Sequence, residues 1–123
     1  MDAADLYARV EARLPATLAV DGATSTHAVL AALAERLTPE EAVELGAELP
    51  VELGDVLAQA HGDGTLTRDE LIEDLAARLD VDDEDAEAAA VAVLGAIREV
   101  LEPVVSIEQV LESLPPDLAQ LME

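Results

Sequence analysis

Short sequence words recur at a nearly constant offset along this chain, and that recurrence constrains its fold more than any other feature. Three pairs of words show it: Ala12-Arg13-Leu14 with Ala77-Arg78-Leu79, Ala28-Val29-Leu30 with Ala92-Val93-Leu94, and Leu49-Pro50 with Leu114-Pro115. Self-similarity at a nearly fixed period marks a structural unit that occurs more than once. The offset therefore predicts one domain, 1–123, built from two tandem pseudo-repeats over about 1–60 and 66–123, with a hinge at about 61–65.

Both halves are predicted to be helical, so the expected fold is all-α with about four helices in each pseudo-repeat. Apolar residues recur at helical spacing, and no stretch shows the alternation typical of a β-strand. The predicted helices cover about 4–14, 23–37, 39–49, 51–60, 68–79, 83–101 and 106–111, and a last short one begins at 115. Capping residues support four of these starts, namely Thr38 with Glu41, Thr67 with Glu70, Asp82 or Asp83, and Ser106. The helix over 83–101 is apolar nearly all round, so we expect it at the centre of the fold.

Acidic residues dominate the charge of the chain. Asp and Glu number 28 against 6 arginines and no lysine, which gives a formal net charge of -22. Charge of this size destabilises a compact state through self-repulsion unless salt screens it. At about 1 M salt the Debye length is about 3 Å, so the repulsion nearly vanishes. Because the acids are spread along the chain, the composition favours a folded protein of an extreme halophile, such as a halophilic archaeon, over an ordinary acidic protein.

The composition also argues against several classes of partner and location. The clustered Lys and Arg that phosphate binding requires are missing, so we expect neither nucleic acid nor an anionic membrane as a partner. The longest apolar run, Ala88 to Ile97, is too short to span a bilayer. The acidic N-terminus carries no signal-peptide pattern, which predicts a cytoplasmic location. A chain without cysteine can form no disulfide and offers no thiol.

Several of the words resemble an uncharacterised helical family, numbered 2267 among the domains of unknown function. Its pattern is a Val-Leu helix ending in Arg-Leu, then a Ser/Thr-Pro-Glu-Glu-Ala helix start, then a Leu-Pro turn. In this chain the pattern reads Ala28-Val29-Leu30, Arg36-Leu37-Thr38-Pro39-Glu40-Glu41-Ala42 and Glu48-Leu49-Pro50, and 114–118 echoes the turn. The resemblance covers nearly the whole chain. It implies a helical fold, and it carries over no established activity and no catalytic residues.

The segment from Asp63 to Glu70 is similar to the later part of an EF-hand calcium loop. Gly64 permits the sharp turn, and Glu70 stands where the last ligand of such a loop supplies two oxygens. Gln59 and His61 occupy early positions where carboxylates belong, so we expect no calcium affinity of physiological strength. The simpler interpretation is a glycine-rich hinge followed by a helix cap.

No catalytic constellation emerges from the remaining polar residues. His27 falls opposite an apolar position of the second half, which predicts a partly buried structural histidine, and His61 is expected to be solvated. Tyr7, the only aromatic residue, is expected to pack in the core with its hydroxyl at the edge. Nucleophile, zinc and phosphate-loop motifs are absent, and carboxylates are too numerous for any pair to be specific. We therefore expect no enzyme activity, no cofactor and no metal site, with the arginines anchoring surface ion pairs.

Three functional hypotheses remain. The first is a non-enzymatic helical interaction module that acts through a protein partner or by self-association. The second is a divalent-cation-binding regulatory protein that uses the acidic hinge from Asp63 to Glu70. The third is a small-molecule hydrolase built on surface carboxylates.

The charge predicts that folding depends on salt. At about 10 mM salt the Debye length is about 30 Å, so repulsion among the acids acts across the whole domain. We expect helical circular dichroism to weaken in dilute buffer and to recover toward about 1 M KCl, where the Debye length is about 3 Å. Cooperative unfolding with full stability at about 10 mM salt would contradict the halophilic interpretation.

Overall fold

The computed structural model of the chain describes residues 3–16, 18, 20–46, 49–62 and 67–101, and the regular elements in this part are all α-helices. They are α1 (Ala3–Arg13), α2 (Gly22–Arg36), α3 (Pro39–Gly46), α4 (Val51–Leu57), α5 (Arg68–Leu79) and α6 (Asp83–Leu101). The expected all-α fold is confirmed for these residues. The helices predicted at 106–111 and from 115 onward lie outside the described residues.

Side-chain caps fix where α5 and α6 begin, as the sequence predicts. Oγ1 of Thr67 accepts a hydrogen bond from the backbone N–H of Glu70 at 3.3 Å. Oδ1 of Asp82 accepts one from the backbone N–H of Asp85 at 2.9 Å, so Asp82 rather than its neighbour caps α6. Each cap satisfies a backbone donor that has no partner inside its own helix.

The cap of α2 has no counterpart in the sequence prediction. Oδ1 of Asp21 accepts a hydrogen bond from the backbone N–H of Thr24 at 2.7 Å. The helix therefore begins at Gly22 rather than at Ala23. Gly22 also lies against α1, where a Cβ atom would be 2.4 Å from the carbonyl oxygen of Tyr7. A residue with a side chain would force the two helices apart here.

α3 and α4 cross closely, and α4 is shorter than predicted. A Cβ atom on Gly46 would lie 3.3 Å from Cδ1 of Leu57 and 3.5 Å from the Cα of Gly54, so the two helices meet at these glycines. The described part of α3 reaches this crossing at Gly46. α4 ends at Leu57 instead of at 60, because the chain then turns back toward α2. After this turn, the N–H of His61 donates a hydrogen bond to the carbonyl oxygen of Ala34 at 3.1 Å.

α2 occupies the centre of the fold. It packs against α1, α4, α5 and α6, whereas α6 packs against α1, α2 and α5. α6 has the broad buried face that its sequence predicts, yet Val91 on its outer side is 45% exposed. The largest fully buried side chains are aliphatic: Leu6, Leu30, Leu33, Leu37, Leu53, Leu57, Leu71, Leu75, Leu94 and Ile97. Burying one such side chain contributes about 1.5–3 kcal/mol, so a core without Phe or Trp depends on many of them.

A tight turn at Asp80 joins α5 to α6. This residue adopts the left-handed conformation with a φ of 56°. The N–H of Val81 donates to the carbonyl oxygen of Ala76 at 3.1 Å, which satisfies one of the last carbonyls of α5. Aspartate tolerates this region better than most residues other than glycine. The turn lets α6 fold back onto α5.

Gly62 holds the chain where it passes from the first four helices to the last two. Its N–H donates to the carbonyl oxygen of Leu37 at 3.0 Å. A Cβ atom on Gly62 would lie 2.2 Å from the backbone carbonyl carbon of Arg36, a distance that no side chain can adopt without moving the backbone. The backbone at the end of α2 therefore lies in direct contact with the backbone of the segment that contains Gly62.

We expect Gly62→Ala to lower the free energy of unfolding by about 1–3 kcal/mol, the usual cost of forcing extra atoms into a packed place. Chemical denaturation in molar KCl measures the change. The matched control is Gly54→Ala, where a Cβ atom would meet the carbonyl oxygen of Gly46 at an ordinary 3.4 Å. Since alanine favours a helix over glycine by about 1 kcal/mol, the control should lose nothing. Equal losses in the two variants would contradict the main-chain contact at Gly62.

Candidate functional site

The only tyrosine of the chain and one of its two histidines form a polar pair. The hydroxyl of Tyr7 on α1 lies 2.8 Å from Nε2 of His27 on α2, and the ring centroids are 5.8 Å apart. Tyr7 is half-buried and packs against the core with its hydroxyl at the edge, as expected. Burial, followed by the negative charge of Glu52 on α4, raises the pKa of Tyr7. The hydroxyl therefore stays protonated at neutral pH and can donate to the imidazole.

His27 itself is exposed, so the prediction of a partly buried histidine is wrong. The matching position in α6, Val91, is exposed as well. The apolar character of a matching residue therefore does not establish burial, because single apolar side chains are common on protein surfaces. The contact of His27 with Tyr7 joins α1 to α2.

A groove of about 250 Å³ lies where α2, α4 and α5 meet. It is lined by Ala31, Ala34, Glu35, Val56, Gln59, His61 and Arg78. His61 is exposed, as expected, and its Nδ1 lies 3.2 Å from the carbonyl oxygen of Gln59. The guanidinium of Arg78 binds Glu35 at 2.8 Å and Asp74 at 3.0 Å. Because these charges satisfy one another, the groove fits a structural junction better than a site that activates a substrate.

A larger groove of about 520 Å³ lies between α5 and α6 and is strongly acidic. It is lined by Asp69, Ile72, Glu73, Asp83, Glu84 and Glu87. Across the described parts of the chain, no group of three or more histidine or acidic side chains is arranged to hold a metal ion. The groove is a region of negative potential beside the starts of two helices.

Half of the EF-hand-like segment, residues 63–66, lies outside the described residues, which stop at Gly62 and resume at Thr67. The flanking residues that the structure does describe have structural roles. Gly62 packs against the end of α2, and Thr67 caps α5. The expected weakness of calcium binding between Asp63 and Glu70 stays a prediction.

Arginines form ion pairs that join different helices. The contacts between helices are Arg9 and Arg13 with Glu99, Arg36 with Asp74, Arg68 with Glu87, and Arg78 with Glu35. Arg78 also pairs with Asp74 within α5. The expectation that arginines anchor ion pairs is confirmed for these five. Their partners, however, were not predictable residue by residue in a chain so rich in carboxylates. The one available signal was the recurrence of Arg13 as Arg78 and of Glu35 as Glu99.

In the part of the chain that the structure describes, the fold is a bundle of packed α-helices. Within the described residues, no helix combines the length and apolar character needed to cross a membrane. The chain belongs to the family described as uncharacterized conserved protein, DUF2267, whose sequence pattern matches residues 4–121. The resemblance carried by the sequence words is thereby confirmed. No curated protein and no solved structure matches the chain.

The ion pairs of Glu99 predict how stability responds to acid. The hydrogen bond from Arg13, with the positive charges of Arg9 and Arg13, lowers the pKa of Glu99 in the folded protein. When folding lowers the pKa of a carboxyl group, the charged group stabilises the fold at pH values above its pKa in the unfolded chain, which is about 4.3 for Glu. That contribution is lost as the pH falls through the folded value. We therefore expect Glu99→Gln to lower the melting temperature at neutral pH and to have little effect at the acidic end of this window.

Thermal unfolding of the wild type and of Glu99→Gln in molar KCl, from neutral pH down through this window, measures the difference. The control repeats the comparison in an Arg13→Gln background, where the main hydrogen bond to Glu99 is gone. There the difference at neutral pH should shrink. A difference that stays constant with pH would show that the charge of Glu99 contributes nothing to stability.

Proposed function

We propose that the protein is a non-enzymatic interaction module that binds a protein partner through its α3–α4 corner, the surface formed by Pro39–Gly46 and Val51–Leu57. The observation that carries this proposal is the exposure of two large apolar side chains there. Val43 is 64% exposed and Val51 is 76% exposed. The described part of the chain buries most of its other large apolar side chains. We take these two side chains of neighbouring helices as parts of one apolar patch, because such a patch marks an interaction surface where single apolar side chains do not.

The placement of the corner supports this role. α3 packs mainly on α4, and α4 in turn packs on α2. The corner therefore stands at the outer edge of the fold, with Leu53 and Leu57 on the inner side of α4 buried in the core. The close contact between Gly46 and Gly54 fixes the two helices to each other. A rigid surface loses less conformational entropy on binding than a mobile one.

Charge indicates which kind of partner fits the corner. Glu40, Glu52 and Asp55 are exposed on the same two helices, and neither helix contains an arginine or a lysine. A matching surface would place apolar side chains against Val43 and Val51 and surround them with Lys and Arg. Such complementarity speeds encounter and selects partners more than it adds affinity.

Self-association is the second form of this hypothesis. Two copies would each bring a net charge of -22, so they repel each other in dilute salt. Molar salt removes that repulsion, and apolar contacts such as those of Val51 would then decide the outcome. In dilute salt a basic partner gains attraction where a second copy meets repulsion, which favours the basic partner under that condition.

The proposal includes an origin of the fold in two tandem pseudo-repeats, 1–60 and 66–123, within a single domain. Burial supports it, because matching positions of α2 and α6 are alike. Both members are buried in the pairs Gly22/Ala86, Ser25/Ala89, Thr26/Ala90, Val29/Val93, Leu30/Leu94, Ala32/Ala96 and Leu33/Ile97. α1 and α5 also begin at matching positions, Ala3 and Arg68. The matching turn at 114–115 lies outside the described residues.

The proposed setting is the salt-rich cytoplasm of a halophile. The support is the excess of Asp and Glu over arginine together with the absence of lysine. A basic partner would have to bind there at a Debye length of about 3 Å. Apolar contact, which such screening does not weaken, is then the main source of affinity.

A direct binding experiment tests the α3–α4 corner. The probe is a synthetic amphipathic helical peptide with leucines on one face and arginines on the other, titrated by calorimetry in molar KCl. We expect Val43→Ser/Val51→Ser to weaken binding at least tenfold, equivalent to about 1.4 kcal/mol. The matched control is Val91→Ser, which alters the exposed valine of α6. Sedimentation of the same three proteins without peptide reports self-association.

Equal binding by the wild type and by the double variant would show that the peptide responds to charge alone, which would reject the corner. Equal weakening by Val91→Ser would reject it too. A wild-type dimer in molar KCl that Val43→Ser/Val51→Ser dissociates would replace the basic partner with a second copy of the chain.

A further inference from the structure

Two ion-pair clusters join the first half of the chain, α1 to α4, to the second half, α5 and α6. The α1–α6 cluster consists of Arg9, Arg13 and Glu99. The α2–α5 cluster consists of Glu35, Arg36, Asp74 and Arg78. Each cluster lies where a helix of one half packs against a helix of the other.

The two clusters are reciprocal. Arg13 of the first half binds Glu99 of the second, with Nη2 and Oε2 2.7 Å apart. Arg78 of the second half binds Glu35 of the first, again with Nη2 and Oε2, 2.8 Å apart. In the offset between the recurring words, Arg78 is the counterpart of Arg13, and Glu99 is the counterpart of Glu35. At these matching positions, an arginine of each half therefore binds a carboxylate of the other half.

Local packing holds both arginines in place. A Cβ atom on Gly95 would lie 3.0 Å from Nη1 of Arg13, so the guanidinium lies directly against α6. On the other side, Asp74 binds both Arg78 and Arg36. The side chains of Arg36 and Asp74 are only 19% and 20% exposed, which shields their contact from water.

The clusters act against a strong opposing force. Acidic residues outnumber arginines in both halves, so the halves repel each other as wholes. Four of the 6 arginines of the chain nevertheless lie in these two clusters. Most of the positive charge of the chain therefore lies at the two seams between its halves, namely the α1–α6 contact and the α2–α5 contact.

We propose that the α1–α6 and α2–α5 clusters together form an electrostatic latch that keeps the two halves of the protein closed on each other. In dilute salt the latch opposes the repulsion between the acidic halves. In molar salt the repulsion is screened, and the apolar faces of α2 and α6 keep the halves together without the latch. The latch follows from the contacts themselves, so it stands whether or not the α3–α4 corner binds a partner.

The absence of cysteine makes a distance measurement straightforward. Ala12→Cys on α1 and Ala77→Cys on α5 replace two exposed residues at matching positions and carry spin labels. Pulsed electron resonance then gives the distribution of distances between the halves. We expect one narrow distribution for the otherwise unchanged protein in the lowest salt at which it is fully helical. At the same salt Arg13→Gln/Arg78→Gln should broaden the distribution toward longer distances, and molar KCl should restore it.

Two further variants make the result specific. Arg68→Gln removes an ion pair with Glu87 that also joins two helices, but within the second half, so the distribution should stay narrow. Arg13→Lys/Arg78→Lys keeps both charges but loses the two-pronged donor of arginine, so it should broaden the distribution less than the Gln variant does.

Three outcomes would overturn the latch. The first is an unchanged distribution in Arg13→Gln/Arg78→Gln while its helical circular dichroism matches the wild type. The second is broadening of equal size in Arg68→Gln. The third is a loss of helical signal in step with the change in distance for both the Gln and the Lys variants, since the halves would then unfold rather than separate as units.

Discussion

Close contact between helices is the constraint on which the rest of this structure depends. In a core without Phe or Trp each side chain buries less area than an aromatic one would, so many Leu, Val and Ala side chains must come together. Glycines make this approach possible where main chains would otherwise collide. Gly22 lies against the carbonyl oxygen of Tyr7, and Gly62 lies against the backbone of Arg36. The central place of α2, in contact with four other helices, follows from these approaches.

Positive and negative charges occupy different parts of the molecule. Arginines gather where helices from the two halves meet, and carboxylates occupy most of what remains outside. This division reconciles a net charge of -22 with a folded chain, because the few attractive contacts act at short range where helices touch. Repulsion between exposed carboxylates acts over longer distances, and salt removes it first. The α3–α4 corner lies outside both seams and keeps Val43 and Val51 exposed.

Much of the fold was predictable because its signals are local. Helical spacing and caps such as Thr67 and Asp82 depend on residues within one or two turns, so α1, α5 and α6 begin and end within about one residue of the prediction. Where tertiary contact sets the boundary, the prediction failed. α4 ends at Leu57, where the chain turns back toward α2, and no local pattern marks that turn. The exposure of His27 was missed for the same reason, since burial depends on which helices lie beside it.

The sequence by itself determined the helical class, the acidic surface, the family and the recurrence of Arg13 as Arg78. Only the tertiary structure decided which carboxylate each arginine binds, because composition offers 28 candidates and only packing brings one within reach. It also decided that α2 rather than α6 is surrounded by the most helices. The physical reason is range: a helix forms from neighbours a turn apart, whereas Glu99 meets Arg13 only after two distant helices have packed together.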